Sequence, residues 1–304
     1  TITIGDIQAF ITYVKNFTQP IAQIAQVTNM MQSMMAAAER VFEFLEEEEE
    51  DQITENPVPI ENVKGVVDFE HVHFGYNPDN IIVNDFNAHV KAGQQVAIVG
   101  PTGAGKTTMV KLLMRFYDVN SGEIKLDGHN LKDYNRNELR NAFGMVLQDT
   151  WVFEGTIKDN IAYAKEDASF DEIVAAAKAA RIHSYIMSLP QGYDTIISED
   201  GGNISKGQKQ LITIARAMLV NSNMLILDEA TSNVDTRTEK AIQKAMFELM
   251  KGKTCFVIAH RLSTIRNADC ILVVDNGTLA ESGTHSELIE KKGLYYKMYM
   301  SQWL

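Results

Sequence analysis

Residues 1–45 carry two interleaved patterns that both fit a single helix. No charged residue occurs between Lys15 and Glu39. Polar and apolar side chains each recur there every three or four positions, on different sides of a helix. The polar set is Asn16, Gln19, Gln23, Gln26, Asn29 and Ser33, and the apolar set is Phe17, Ile21, Ile24, Val27, Met31 and Met35. The stretch is long enough to cross a bilayer, where its polar stripe would face other helices or water. A soluble amphipathic helix is the alternative that the pattern leaves open.

From Gly65 onward, short apolar runs alternate with stretches of helical spacing, which predicts an α/β core. Buried strands are expected at 96–99, 143–147, 224–227 and 255–259. Residues from about 148 to 208 interrupt the alternation, because 170–181 is Ala-rich and helical and 184–189 is a shorter helix before Pro190. This block is predicted to be an inserted helical subdomain.

An acidic run separates the two patterns. Glu46 to Asp51 supplies six negative charges of a chain whose net charge is −12. Like charges disfavour packing, and the prolines at 57 and 59 stiffen the segment after them. A linker is therefore predicted at 46–64, between residues 1–45 and a domain at 65–304.

The composition of the chain limits the kinds of partner that it is expected to bind. The chain has 304 residues, 45% of them hydrophobic, which is ample for a core. An acidic chain without a basic stripe or zinc-ligand spacing is a poor nucleic-acid binder, so no nucleic acid is expected as a partner. Cys255 and Cys270 lie in separate apolar runs and are expected to be reduced residues of a cytosolic domain.

A phosphate-binding loop follows the first apolar run of the predicted core. The segment Gly-Pro-Thr-Gly-Ala-Gly-Lys-Thr begins at Gly100 and leads into helical spacing from Lys106 to Met114. Its glycines let backbone N–H groups converge on phosphates, and the helix N-terminus adds partial positive charge. Lys106 is expected to reach the terminal phosphates and Thr107 to bind Mg²⁺. The predicted nucleotide-binding residues here are Gly100, Pro101, Thr102, Gly103, Ala104, Gly105, Lys106, Thr107 and Thr108.

Polar residues directly follow the other predicted strands. Asp228 ends the run 224–227, and a carboxylate at such a strand tip faces the ligand crevice of an α/β sheet and suits Mg²⁺. Glu229 beside it is expected to polarise the water that attacks the γ-phosphate. His260 and Gln148 end two further strands. The predicted catalytic residues are Glu229, His260 and Gln148, and the predicted magnesium ligands are Thr107, Gln148 and Asp228.

From about Gly65 to its end, the chain resembles the nucleotide-binding domain of an ATP-binding cassette (ABC) exporter. The motifs that carry the resemblance are Val72-His-Phe-Gly-Tyr76, the phosphate loop, Gln148, the signature Ile204-Ser-Lys-Gly-Gln208, Leu227-Asp-Glu229, Ser232-Asn-Val-Asp235 and His260. The segments Phe153–Ile161 and Ala259–Thr264 are similar to the exporter branch of the family. Two departures stand out, because the family usually has Gly at Lys206 and Ala-Leu at Asn233-Val234.

The resemblance implies a phosphate-loop NTPase core with an antiparallel β subdomain and a helical subdomain at 148–208. Residues 1–45 would be the last transmembrane helix and its cytoplasmic extension, with the subunit's other transmembrane helices absent from the chain. ATP and Mg²⁺ are the implied cofactors. The implied partners are a second half-transporter, identical or not, membrane lipid, and an exported small molecule or lipid. The implied location is the plasma (inner) membrane, with the nucleotide-binding domain in the cytoplasm.

The resemblance also assigns residues outside the phosphate loop. Tyr76 would stack on adenine, Ser205, Gly207 and Gln208 would contact ATP held by the partner subunit, and Asp235 would lie at the dimer interface. The implied activity is hydrolysis of ATP coupled to export. Two rivals are a soluble ABC ATPase that works on nucleic acid or ribosomes, and a nucleotide sensor that clamps without turnover. The membrane-length helix argues against the first, and intact Glu229 and His260 argue against the second.

Overall fold

The structure is a computed structural model, and it divides the chain into two compact units, residues 1–51 and 52–304. The described residues are 2–47, 49–50, 52–60, 63–77, 80–147, 150–198, 202–228, 235–259 and 262–302, without the side chains of Ser263 and Gln302.

The first unit is dominated by one helix, α1 (Ile4–Leu45), which continues through Pro20. Thr3 caps its N-terminus, because the Thr3 Oγ1 accepts a hydrogen bond from the Asp6 N–H and the Asp6 carboxylate accepts one from the Thr3 N–H. None of the side chains of α1 is buried. The predicted helix is thus confirmed, and it begins at Ile4.

The membrane-spanning role of residues 1–45 stays a prediction. Across the described ranges, no helix combines the length and the apolar content that crossing a membrane requires. Length is not the limit in α1, which has 42 residues. Polar side chains recurring through its middle lower its mean hydropathy.

The predicted linker is only partly a linker, since residues 52–60 belong to the second unit. The Thr54 N–H donates to the Asn135 Oδ1 at 3.1 Å, and the Val58 N–H donates to the Asp133 carbonyl at 2.8 Å. Val58, Ile60 and Val63 pack against the core. These residues can pack on the core because the acidic run ends at residue 51 and apolar side chains follow it.

The second unit contains the strands of the fold and all helices that follow α1 among the described residues. The strands are β1 Val67–Phe74, β2 Val83–Val90, β3 Gln95–Val99, β4 Ser121–Leu126, β5 His129–Asn130, β6 Phe143–Val146, β7 Gly155–Thr156, β8 Ile196–Ile197, β9 Met224–Asp228, β10 Thr254–Ile258, β11 Cys270–Asp275 and β12 Thr278–Gly283. The helices are α2 Lys106–Leu113, α3 Arg136–Asn141, α4 Ile157–Ala162, α5 Phe170–Ala179, α6 His183–Ser188, α7 Lys206–Val220, α8 Thr236–Met250, α9 Leu262–Asn267, α10 His285–Lys291 and α11 Leu294–Gln302.

The strands form a central sheet, a second sheet and a small hairpin. The central sheet has the order β12-β11-β3-β10-β9-β6, and β11, β3, β10, β9 and β6 run parallel. The second sheet is antiparallel, with the order β2-β1-β4-β5. Strands β7 and β8 pair within the helical block. The predicted α/β core, antiparallel β subdomain and helical subdomain are therefore confirmed.

Both faces of the central sheet are buried, which explains why its strands are continuous apolar runs. In β3, Val96 and Ile98 pack in a cluster with the antiparallel sheet and α2. Ala97 and Val99 point to the other face, where they join a cluster with α4, α5, α7 and α8. The side-chain period of two along a strand assigns each residue to its face.

The register of the central sheet brings several strand ends to one edge. Ile258 in β10 lies opposite Ile98 in β3 on one side and opposite Asp228 in β9 on the other. Val146 in β6 lies opposite Leu227. The carboxyl ends of β3, β10, β9 and β6 are thus neighbours, and such an edge is where open α/β sheets bind ligands.

Candidate nucleotide-binding site

The phosphate loop joins β3 to α2 at this edge of the sheet. Gly100 permits a close approach that a side chain would prevent, because a Cβ atom there would lie 2.2 Å from the Val274 carbonyl oxygen. Gly105 caps α2 with a φ of 100°, a backbone conformation that favours glycine. The chain therefore turns sharply from strand to helix, and the first N–H groups of α2 face the cleft in front of the loop.

Lys106 extends along the loop that precedes it. Its Nζ donates to the Gly100 carbonyl at 2.8 Å and to the Pro101 carbonyl at 2.9 Å. Burial lowers the pKa of the Lys106 ammonium, and the negative charge of Asp228 acts in the opposite direction. A half-buried cation therefore lies beside the loop, within the field of the carboxylate at the end of β9.

A cleft of about 660 Å³ opens in front of the loop. Strand ends, the phosphate loop and two turns contribute to its walls. Its lining residues are Asn80, Ile81, Ile82, Thr102, Gly103, Gly105, Lys106, Thr107, Thr108, Asp228, Ile258, Asn276 and Gly277. Seven of the lining residues were predicted from the sequence as nucleotide or metal ligands, namely Thr102, Gly103, Gly105, Lys106, Thr107, Thr108 and Asp228.

The oxygen donors of the cleft fit a magnesium ion. Thr107 and Asp228 both line it, and they supply a hydroxyl and a carboxylate. Mg²⁺ in phosphate-transfer sites takes one or two carboxylates together with phosphate oxygens and waters. Within the described ranges, no three acidic, histidine or cysteine side chains gather as a separate metal cluster. Phosphate oxygens and waters would complete the coordination of an ion held by these two donors.

The three predicted catalytic residues, Glu229, His260 and Gln148, lie outside the described residues. The strands before them are described, and each ends at the edge that holds the phosphate loop. Glu229 is the residue after β9, and His260 is the second residue after β10. Gln148 is the second residue after β6.

Tyr76 lies just beyond β1 with 42% of its surface exposed. Its hydroxyl is 3.4 Å from the Thr108 Oγ1, in the first turn of α2. Its ring makes edge contacts with Phe74 and Tyr117, at centroid distances of 5.1 and 5.0 Å. The Lys111 Nζ lies 5.6 Å from the ring centroid. The ring is therefore positioned beside the phosphate loop by contacts within the domain.

The signature residues occupy the N-terminus of α7. Ser205 caps the helix, since its Oγ accepts from the Gln208 N–H at 3.3 Å and the Ser205 N–H donates to the Gln208 Oε1 at 2.8 Å. Ser205 and Lys206 are exposed, whereas Gly207 is buried. Lys206, which stands where the family usually has Gly, is therefore exposed in the first turn of α7.

Asp235 caps the next long helix, α8. Its carboxylate accepts hydrogen bonds from the Arg237 and Thr238 N–H groups, at 3.1 and 3.0 Å. Hydrogen bonds from Thr238 hold the pKa of this carboxyl below its usual range. Ser205, Gly207, Gln208 and Asp235 are all described, and none of them lines the cleft. The predicted residues thus fall into a set at the cleft and a set away from it.

Comparison with known proteins agrees with this geometry. A family profile described as "ABC transporter" matches residues 83–232, which include the phosphate loop, the signature and the strand that ends at Asp228. The chain carries an ABC transporter domain.

Sequence similarity to known relatives extends over nearly the whole chain. The chain is 54% identical, over 98% of its own length and 47% of the relative's, to the "Fatty acid ABC transporter ATP-binding/permease protein" of Mycobacterium bovis. It is 42% identical, over 99% of its length and 50% of the relative's, to the "ATP-dependent lipid A-core flippase" of Syntrophus aciditrophicus. The chain spans about half the length of the curated relatives it matches.

A solved structure gives the same result for the fold. The chain matches the "Structure of a bacterial Atm1-family ABC exporter with ATP bound" with a TM-score of 0.80 and 41% identity. The match covers 99% of this chain and 53% of the other chain. The resemblance to ABC exporters is therefore confirmed along the chain, including residues that precede the ABC transporter domain.

Sequence reasoning missed part of the cleft wall in this ABC transporter domain. The missed residues are Asn80, Ile81, Ile82, Ile258, Asn276 and Gly277. Asn276-Gly277 had a visible signal, because Asn-Gly between two short apolar or alternating runs predicts a two-residue hairpin. That signal would have predicted the turn, but the approach of the turn to the phosphate loop depends on the order of strands in the sheet.

Proposed function

We propose that this chain is the ATP-binding and ATP-hydrolysing part of an ABC exporter subunit. The observation that carries the proposal is the meeting of the phosphate loop, Lys106, Thr107 and Asp228 in one cleft at the carboxyl edge of the central sheet. This arrangement offers N–H groups, a cation and metal-binding oxygens to a nucleoside triphosphate. The names of the relatives, which are ATP-binding/permease proteins and a flippase, support the same function.

In this proposal the phosphate loop binds the phosphates with its backbone N–H groups. The Lys106 ammonium leaves the Gly100 and Pro101 carbonyls and binds the terminal phosphates, which compete well for a half-buried cation. Thr107 and Asp228 hold Mg²⁺, which would neutralise phosphate charge when bound. Phosphoryl transfer then depends mainly on positioning and charge neutralisation.

Glu229 is proposed as the group that orients the attacking water and accepts its proton. It follows Asp228 directly, and a second carboxylate there exceeds what a magnesium ion needs. Gln148 and His260 are proposed to contact the metal, the water or the γ-phosphate. Their support is positional, since β6 and β10 end on either side of β9.

We propose that Ser205, Gly207 and Gln208 serve the ATP of a partner subunit. They lie at the N-terminus of a 15-residue helix, a position that attracts phosphate, and they do not line the cleft of their own chain. Asp235 is proposed to lie in the interface between the two subunits. Closure of two such domains on ATP would complete both sites and exclude water, and hydrolysis would reopen them.

Residues 1–45 are proposed to belong to the permease part of a longer subunit. The helix α1 exposes a full set of apolar side chains, which other permease helices would cover. The chain would act at the plasma (inner) membrane with its ABC transporter domain in the cytoplasm. The exported compound is proposed to be a small molecule or a lipid, and two relatives named for a fatty acid and for lipid A-core favour one with acyl chains.

The decisive experiment compares Glu229→Gln with Asp228→Asn and with the surface control Glu290→Gln. Loss of a general base typically costs about 10²–10⁴-fold in rate, so Glu229→Gln is expected to bind ATP normally and to stop releasing phosphate. Asp228→Asn is expected to weaken Mg²⁺-dependent ATP binding, and Glu290→Gln should change neither. ATP affinity and phosphate release are measured on each variant.

Two results would contradict the proposal. Phosphate release at the parent rate by Glu229→Gln would remove this residue from the chemistry. ATP binding without any phosphate release by the parent chain, with its partner subunit present, would instead favour a sensor that clamps without turnover.

A further inference from the structure

The β11–β12 hairpin turn touches the phosphate loop. The two central residues of the turn, Asn276 and Gly277, have φ values of 46° and 76°, which is the backbone of a tight two-residue hairpin. The Gly277 N–H donates to the Ala104 carbonyl at 3.2 Å. Asn276 and Gly277 both line the nucleotide cleft. A turn that is about 170 residues later in the sequence therefore forms part of the site.

Backbone groups at the start of β2 hold the turn against the phosphate loop from the opposite side. The Asn84 N–H donates to the Gly277 carbonyl at 2.9 Å, which ties the turn to β2. A Cβ atom on Gly277 would lie 2.0 Å from the Ile82 carbonyl oxygen. The shortest favourable carbon–oxygen contacts are about 3.3 Å, so no side chain fits there. Gly277 is thus held between the phosphate loop and the residue that precedes β2.

The same hairpin supports both ends of the phosphate loop. Gly100, at the start of the loop, packs on the Val274 carbonyl in β11, and Ala104, near its end, is bonded to the turn. Glycines make this loop conformationally free, so its shape depends on such outside contacts. The Ile82 N–H also donates to the Phe74 carbonyl at 2.8 Å, which connects the turn to the strand before Tyr76.

We propose that the Asn276-Gly277 turn is a positioning element of the nucleotide site, which fixes the phosphate loop in the shape that binds the terminal phosphates. This inference rests on the proposed function. It assigns Gly277 and Asn276 no contact with the reacting atoms. Their role is to hold the Ala104 end of the loop, so that a change in the turn should weaken phosphate binding more than base binding.

The chain contains a matched control for this turn. Asp127 and Gly128, between β4 and β5, have φ values of 50° and 88° and form a hairpin turn of the same kind. A Cβ atom on Gly128 would meet nothing within 4 Å. Gly277→Ala and Gly128→Ala therefore impose similar backbone strain, but only the first produces a collision beside the phosphate loop.

The first test measures the affinities of the parent and both variants for Mg-ATP by calorimetry and for adenosine by ligand-observed NMR. Gly277→Ala is expected to lose about tenfold or more in ATP affinity, because displaced loop N–H groups would bind the phosphates with poorer hydrogen-bond geometry. Its adenosine affinity is expected to stay within about twofold of the parent value, as base stacking does not use the loop. Gly128→Ala should keep both affinities.

A second pair of substitutions, which strain the backbone less, tests the proposal if Gly277→Ala does not fold. Asn276→Ala and Asn221→Ala both place alanine at a left-handed residue, with φ values of 46° and 52°, and Asn221 ends α7 outside the cleft. Asn276→Ala is expected to lose several-fold in ATP affinity, and Asn221→Ala none. Circular dichroism melting of all four variants gives the loss of stability against which the affinities are compared.

Equal ATP affinities within each pair would overturn the proposal, because the turn would then affect stability alone. A parent chain that binds ATP no more tightly than adenosine would overturn the proposed function itself, together with the role of the turn. A loss confined to the turn variants and to the phosphate-bearing ligand supports both.

Discussion

Tyr76 is a residue whose surroundings sharpen the sequence prediction. Its ring has edge contacts with Phe74 and Tyr117, and its hydroxyl approaches Thr108 in the first turn of the helix that follows the phosphate loop. A ring positioned by its own domain loses little freedom when a base stacks on it, which favours binding. The expected stacking partner is adenine, and affinity should then follow the ring.

Tyr76→Ala is expected to weaken ATP binding by about 5- to 150-fold, since stacking of a base on an aromatic ring is worth about 1–3 kcal/mol. Tyr76→Trp should preserve the affinity. Tyr76→Phe loses only the 3.4 Å hydroxyl contact and should stay within about twofold of the parent. A nucleotide titration of the three variants measures this, and an affinity of Tyr76→Ala equal to that of the parent would contradict it.

Ser205 has a local structural role that any test of its proposed function must separate. It caps α7 in a reciprocal pair with Gln208, and Ser169 caps α5 in the same way with Glu172. In both caps the serine Oγ accepts from the backbone N–H three residues later, at 3.3 Å. Replacing either serine therefore costs about 1 kcal/mol of stability through the lost cap.

Ser205→Arg is expected to abolish ATP turnover, because the arginine would occupy the place of the partner's phosphates. Ser169→Arg loses the same kind of cap and should keep turnover. Lys206→Gly, at the exposed next position, should keep turnover within a few-fold. ATPase rates at matched folded fractions give the result. If Ser205→Arg and Ser169→Arg lost the same fraction of ATP turnover, the effect of Ser205 would be explained by its role as a helix cap alone.

At the scale of elements, apolar runs predicted the central strands closely. The runs at 96–99, 224–227 and 255–259 match β3, β9 and β10 to within one residue at each end. Both faces of these strands are buried, so burial alone determines their composition. The pairing of β7 with β8 and the packing of residues 52–60 were not predictable in this way, because each depends on contacts between segments that are distant in the sequence.

The anchoring of α7 by Arg216 was also invisible in the sequence. The guanidinium donates to the backbone carbonyls of Trp151 and Asn160 and to the Asn160 Oδ1, the last at 2.8 Å. Asn160 is fully buried and also bonds to the Phe153 backbone. Burial lowers the pKa of Arg216. One planar group thus joins the helix that carries the signature to the segment after residue 148.

Arg216→Lys is expected to lower the free energy of unfolding by about 1–3 kcal/mol, because an ammonium cannot reproduce the planar set of donors and leaves buried acceptors unsatisfied. Arg237→Lys, on the exposed first turn of α8, is the control and should change the free energy by less than about 0.5 kcal/mol. Urea denaturation followed by circular dichroism measures both variants. A similar, small change in both would show that the hydrogen bonds of Arg216 add no stability.

At the scale of the whole molecule, the order of the motifs along the chain predicted the family and the cleft. The pattern of any single strand would have predicted neither. The phosphate loop and Asp228 are more than 120 positions apart, and they share a cleft because a parallel sheet aligns the carboxyl ends of its strands. The resemblance supplied the roles of Tyr76 and Ser205, which no pattern in this chain implies. Glu229, His260 and Gln148 stay predictions, since they lie outside the described residues.

The boundary between the two units carries the last prediction. The sequence places the start of the folded domain at Gly65, whereas the structure places it at Gln52. Between these positions, Thr54 makes hydrogen bonds to Asn135 and to the Lys132 and Tyr134 carbonyls, and Val58 bonds to Asp133 and packs on the core. Residues 52–64 should therefore stabilise the domain without belonging to its ATP site.

A chain that begins at Gln52 is expected to be more stable than one that begins at Gly65 by about 2–4 kcal/mol, from several hydrogen bonds and the partial burial of three apolar side chains. Thr54→Ala in the longer chain should remove about 1 kcal/mol of that difference, because its hydroxyl bonds are lost and its backbone bond remains. Urea denaturation gives the free energies, and ATP titration should give the same affinity for both chains wherever both are folded. Equal stabilities would return the boundary to Gly65 and make residues 52–64 a linker, as the acidic run and the prolines suggested.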